Sequence, residues 1–222
     1  MVKPRHHPGD EWLVSYAAGT LDEAYSLLVA SHLTYCGVCR EKVRAAEDVG
    51  GLLLEQQTPT DLDLGSLDRV LARLDDDVAV PAVRDIRIQT EAERAHLPLP
   101  LVEFIGGDLN SLSWRSLGRG VKAVRLDAHG REDSRLWLLR APPGMRLAEH
   151  SHRGTELVLV MHGCLHDGSE IFVPGDVDEK GDDHWHAPVV GDGEECICLV
   201  VTDAPIRFKG LVARLLQPLI GL

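Results

Sequence analysis

Residues 144–163 read GMRLAEHSHRGTELVLVMHG, and their spacing decides the fold of the C-terminal half. On an extended backbone, residues two apart point to the same face. His150 and His152 therefore aim their imidazoles the same way, and Glu156 sits at even spacing from both. It returns to that face if the Arg153–Gly154 turn keeps the parity. Two imidazoles and a carboxylate inside a small barrel call for one more metal ligand. A later stretch, HWHAPV at 184–189, offers His184 and His186.

Working outward, RLWLLRAPPG (135–144), ELVLVMHG (156–163), EIFVPGD (170–176) and CICLVVTD (196–203) are short apolar runs bounded by Gly, Pro and Asp. From about residue 101 onward this pattern predicts a sandwich or barrel. Cys196 and Cys198 are two apart on one such run and share a face. Neighbours on one face lie near the upper limit of Cα separation for a disulfide, so a bond would need the strand to distort. The pair is either a redox sensor beside the metal or two small core residues.

The first 76 residues follow a helical period instead. Leu13, Tyr16 and Ala17 fall at helical spacing, with Gly19 as a stop. Asp22 and Glu23 suit the start of a second helix, which carries Ala24, Leu27, Leu28 and Ser31 on one face. A third run extends from Val38 to about Glu55. SLDRVLARL (66–74) is short and amphipathic, with Ser66 as its cap and Leu67, Val70, Leu71 and Leu74 as its apolar face. The stretch 75–100 is thin in large apolar residues and reads as a linker, partly helical around 90–95.

Within the helical part, SHLTYCGVCRE (31–41) places His32 one helical turn before Cys36 and Cys39 three residues further on. Gly37 can end the helix, which puts Cys39 in the first turn of the next one, where the dipole favours a thiolate. Three ligands leave a tetrahedral zinc one short, and RHH at 5–7 can supply the fourth from His6 or His7. A thioredoxin-type pair would instead want a strand before the CxxC and no histidine on the preceding helix.

The spacing Gly144-x5-His150-x-His152-x3-Glu156-x6-Gly163 resembles the first metal motif of the cupin family at every position. The second motif, normally P-x-G-x2-H, is altered here to Pro174–Gly175–Asp176 with a histidine some ten residues later. The resemblance implies His150, His152 and Glu156 as ligands, with His186, just before Ala187–Pro188, favoured over His184. Three His and one Glu suit Zn, Mn, Fe or Ni. The H-x3-C-x2-C cluster with an upstream His resembles the zinc-binding anti-sigma domain. Together the two halves are similar to the ChrR-type anti-sigma factors, as are YAAGTL, HLTYCGVC, ECICLVVTDAPIRF and LLQPL. That resemblance implies zinc on His7, His32, Cys36 and Cys39. It also implies an extracytoplasmic-function sigma factor as partner, released under singlet oxygen or related oxidative stress.

Composition is consistent with this. The chain has 222 residues, 44% of them hydrophobic, and a net charge of −12. That charge disfavours nucleic acid or an anionic membrane as direct partner and suits a basic protein. The N-terminus lacks the apolar core of a signal peptide, and no stretch is long enough to span a bilayer, so the expected location is the cytoplasm. Five cysteines, an odd number, argue against a disulfide framework. The expected architecture is α+β: a helical zinc-binding anti-sigma domain over 1–76, a linker over 77–99, and a cupin β-barrel (a double-stranded β-helix) over 100–222. No phosphate-binding Gly-rich loop or nucleophile elbow is present, so a non-enzymatic role is expected. The rival reading is a metal-dependent cupin dioxygenase or isomerase with an accessory zinc domain.

Overall fold

The computed structural model describes residues 3–75, 97–129, 134–182 and 184–209. Helices come first: α1 (Asp10–Ala17), α2 (Glu23–Tyr35), α3 (Gly37–Glu55) and α4 (Ser66–Ala72). The Asp22 side chain caps α2 by accepting from the Tyr25 amide at 3.0 Å. The chain breaks between α2 and α3 at Cys36, whose backbone is extended (φ −111°, ψ 105°). Ser66 is not the cap of α4. Gly65 takes that place with φ +80°, a conformation glycine adopts without strain, and Ser66 becomes the first helical residue.

A fifth helix, α5 (Leu99–Ile105), stands where the strand-like region was expected to begin. Pro98 precedes it, Pro100 lies in its first turn, and Gly106 ends it with φ +67°. Residues 77–96 of the expected linker, including its helical portion, lie outside the described residues, as does the LLQPL segment.

After a 3-10 turn at Leu109–Ser111, the described strands are all antiparallel. Six strands follow the order β1 (Arg115–Gly118), β2 (Val121–Leu126), β3 (Arg135–Ala141), β10 (Cys196–Thr202), β5 (Glu156–His162) and β8 (Val177–Lys180). A second sheet runs β7 (Glu170–Phe172), β6 (Leu165–Asp167), β9 (Val189–Val190). The pair β11 (Arg207–Phe208) and β4 (His150–Ser151) completes the wall. These strands enclose a cavity of about 590 Å³.

The central strands are buried on both faces, which explains their near-continuous apolar sequence. Val158, Cys196, Cys198 and Val200 face the cavity. Their alternates Leu157, Leu159, Leu199 and Val201 face outward and form one core with Ala24, Tyr25, Leu27 and Leu28 of α2 and Leu101 of α5. The apolar face of α2 is thus the lid on the outside of the sheet. Each fully buried leucine there contributes roughly 1.5–3 kcal/mol.

Polar contacts reinforce this seat. Glu179 on β8 accepts from the Gly9 amide at 2.9 Å and from Trp12 Nε1 at 2.8 Å. Trp12 stacks on Tyr25 with ring centroids 4.7 Å apart, and the Tyr25 hydroxyl donates to the Thr155 carbonyl at 3.1 Å. No helix among the described residues is long and apolar enough to cross a membrane.

Candidate metal centres

The first cluster forms where the extended N-terminal segment meets the α2–α3 junction. It brings His7, His32, Cys36 and Cys39 together, one ligand atom from each lying within 4.8 Å of the others. His32 and Cys36 share a face because they are four apart across the end of α2, and Cys39 returns to that face in the first turn of α3. His32 Nε2 lies 3.3 Å from Cys39 Sγ, and His7 Nδ1 lies 3.4 Å from both sulfurs. Tetrahedral zinc bonds of about 2.0 and 2.3 Å put N and S about 3.5 Å apart, so the donor set fits that ion. His6 turns away: its Nδ1 is 3.3 Å from Asp176 Oδ2.

Burial draws the His32 pKa down to about 4, opposed by the Gly175 carbonyl and Asp176 and assisted by His7. Burial, with the neighbouring Cys36, pushes the Cys39 thiol up to about 12. Burial thus works against the thiolate that the start of α3 favours. In a site closed to water, desolvation outweighs the helix dipole, and the thiolate form needs a cation.

The second cluster lies in the cavity wall. His150 (β4), His152, Glu156 (β5) and His186 converge to within 4.8 Å. His150 and His186 face each other through a two-way backbone bridge, N to O 3.0 Å in each direction. His152 Nε2 is 3.0 Å from His186 Nε2 and 3.2 Å from Glu156 Oε2. These separations suit metal bonds of about 2.1 Å.

Acceptors behind the rings set the tautomers. A carbonyl can only accept, so His150 Nδ1 donates to Ala148 O at 2.7 Å. His186 Nδ1 likewise donates to Asp167 Oδ2 at 2.9 Å. Each leaves its Nε2 lone pair for an ion. His152 Nδ1 is buried without a partner among the described residues. Burial raises the Glu156 pKa, but the hydrogen bond from His152 and the charges of the three imidazoles bring it below the ordinary range. His184 is exposed, with its ring 5.9 Å from that of His186, and stands outside the cluster.

Cys196 and Cys198 place their sulfurs 3.4 Å apart against the cavity. That is contact, not a disulfide of about 2.05 Å. A register irregularity between Ile197 and Cys198 on the β5 side supplies local distortion of the strand. The Cys198 thiol is raised by its hydrogen bond with Cys196 and by burial.

Sequence reasoning missed three features. Asp167 orients His186, and the pattern LHD at 165–167 carries no distinctive signal. The half-buried Lys180 bridges the buried carboxylates of Asp167 (3.1 Å) and Asp178 (2.5 Å). The altered Pro174–Gly175–Asp176 turn serves docking: Gly175 O accepts from His32 Nδ1, and Asp176 accepts the Arg5 and His6 amides at 2.6 and 3.0 Å.

A helical module with a His/Cys cluster, seated on a barrel with a three-His, one-Glu cluster, defines a two-part cupin protein. The family model described as the ChrR Cupin-like domain matches residues 103–205. The chain is 42% identical to the anti-sigma-E factor ChrR of Cereibacter sphaeroides, over 96% of this chain and 97% of that one. It is also similar to the crystal structure of Rhodobacter sphaeroides SigE in complex with the anti-sigma ChrR. There the TM-score is 0.76 at 39% identity, covering 90% of this chain and 100% of that one. The chain belongs to the ChrR family of anti-sigma factors.

Proposed function

We propose that this protein sequesters an extracytoplasmic-function sigma factor in the cytoplasm and releases it under singlet-oxygen or related oxidative stress. The observation that carries the reading is α4. This helix is amphipathic, yet it buries no side chain. Leu67 is 69% exposed and Leu71 is 49% exposed, and Leu52 and Leu53 of α3 are exposed as well. Such a face is what a helix-in-groove partner covers. The relative whose structure was solved in complex with SigE supports a sigma factor as that partner. Net charge −12 favours a basic protein over nucleic acid or membrane.

Zinc on His7, His32, Cys36 and Cys39 would cross-link the N-terminal segment to the α2–α3 junction. His150, His152, Glu156 and His186 would hold the barrel metal, zinc or else manganese, iron or nickel. A metal there would supply the chemistry that meets the stress signal, with Cys196 and Cys198, which line the same cavity, as the candidate redox pair. The units are 1–76 for binding and 100–222 for sensing, joined by 77–99. The enzyme alternative is set aside because the relatives are regulatory.

A transcriptional reporter driven by the sigma factor tests this. Cys36→Ser and His32→Ala should leave it always on. His150→Ala and Glu156→Ala should keep it low under stress. Barrel variants that respond as the wild type does would remove the barrel metal from the sensor.

A further inference from the structure

We propose that Lys180 is a positioning residue that couples the two metal centres, so that an ion in the barrel tightens metal binding at the His/Cys cluster. This rests on the reading that both clusters hold metal. It does not depend on the sigma factor.

The contacts are continuous. His186 Nδ1 donates to Asp167 Oδ2 at 2.9 Å. Lys180 Nζ meets the same oxygen at 3.1 Å and Asp178 Oδ1 at 2.5 Å. The Lys180 side chain is only 13% exposed, and those of Asp167 and Asp178 are 7% and 2% exposed, so the triad is shielded from solvent. The ammonium also lies 5.6 Å from the centroid of the Phe172 ring. Phe172 packs against the His6 ring at 4.5 Å. His6 is held at both ends, its amide on Asp176 and its carbonyl accepting from the Val177 amide at 3.2 Å. The next residue is His7, whose Nδ1 faces both sulfurs.

The sign follows from chemistry. A cation on His186 Nε2 polarises the imidazole and makes Nδ1–H a stronger donor to Asp167. Asp167 is then fixed, and Lys180 with it. A fixed ammonium keeps the Phe172 ring and the His6 backbone in place, so His7 loses less freedom when it binds an ion. Coupling of this kind is reciprocal and typically worth about 5–150-fold.

Cobalt reports on one centre alone, because only the His/Cys cluster gives a thiolate-to-cobalt charge-transfer band. The full-length protein, as wild type, His150→Ala, Lys180→Met and the double variant, is titrated with Co²⁺, and total metal is measured on the same samples. In the wild type, losing the barrel ion through His150→Ala should weaken cobalt at the thiolate centre about fivefold or more. In the Lys180→Met background the same step should change it less than about twofold. Lys180→Arg keeps the charge and should restore the coupling. Phe172→Leu takes away the ring between Lys180 and His6, should abolish the coupling and serves if Lys180→Met does not fold; because Phe172 is also a core side chain, Phe172→Tyr, which keeps the ring, should retain the coupling. Two ions per wild-type chain with no effect of His150→Ala overturns the coupling alone. One ion per chain overturns the two-metal reading and the coupling with it. Coupling that survives in both Lys180→Met and Phe172→Leu overturns the role of Lys180.

Discussion

His32 Nδ1 lies 2.8 Å from the carbonyl oxygen of Gly175, while its Nε2 lies 3.3 Å from Cys39 Sγ. A candidate ligand of the helical cluster is therefore oriented by the barrel. The carbonyl fixes the proton on Nδ1 and leaves the Nε2 lone pair for an ion. The two halves of the chain share a site as well as a core.

Gly175 is the position to test first. Its φ is +96°, and a Cβ there would stand 2.8 Å from Tyr35 Cβ and 2.9 Å from Pro4 Cγ. Gly175→Ala should displace the turn and loosen the hydrogen bond to His32. Zinc affinity at the His/Cys cluster should fall about 10–100-fold, the usual cost of losing a partner behind a ligand. Chelator competition measures this, and unchanged affinity would show that the carbonyl does not position His32.

Metal content should be two ions per chain in protein purified without chelator. Cys36→Ser should reduce this to one and lower the unfolding temperature. His150→Ala should also reduce it to one while keeping the thiolate centre loaded. Elemental analysis of the three proteins decides it, and one ion in the wild type would exclude the two-site arrangement.

The two candidate ligand clusters were legible because coordination chemistry fixes residue type over short spans. His32 and Cys36 are one helical turn apart, and His150 and His152 are one strand repeat apart. The groups that hold these side chains from behind were not legible. His32 and Gly175 are 143 positions apart, and only the docked tertiary structure brings them together. The helix α5 was hidden for another reason: seven residues with a proline in the first turn are too short to show a period. Ala24, Leu27 and Leu28 have the spacing of a helix face, but nothing local says that it covers a sheet.

Metal-free protein should lose stability on acidification below about pH 6.5. His32 is fully buried, and its pKa falls to about 4 from an unperturbed 6.5. The unfolded chain binds the proton more readily, so the stabilisation is complete above 6.5 and is lost as pH drops through 4. The shift corresponds to about 3 kcal/mol. Urea melts of chelated protein between pH 7 and 4 measure it. A His32→Asn variant should flatten the slope, and an equal slope in that variant would assign it to other groups.

The exposed face of α4 should matter for partner binding and little for folding. Leu67→Asp and Leu71→Asp change side chains that this structure leaves uncovered. Stability should move by less than about 0.5 kcal/mol, as is usual for surface positions. Affinity for the sigma factor should fall at least about tenfold if these are anchors of the interface. Pull-down with a thermal melt separates the two effects, and full binding by the double variant would exclude α4.

The six-stranded sheet has consequences for anyone who wishes to recombine these parts. Its outward residues Leu157, Leu159 and Leu199 complete the helical module, while Val158, Cys198 and Val200, interleaved with them on the same strands, belong to the chamber. A graft of the helices onto a foreign barrel must carry every second residue of β5 and β10, together with the Pro174–Asp176 turn. A library that varies only the inward positions can give the chamber a new specificity without touching the seat of α2. The alternation of a β-strand here makes two separately editable surfaces from one wall.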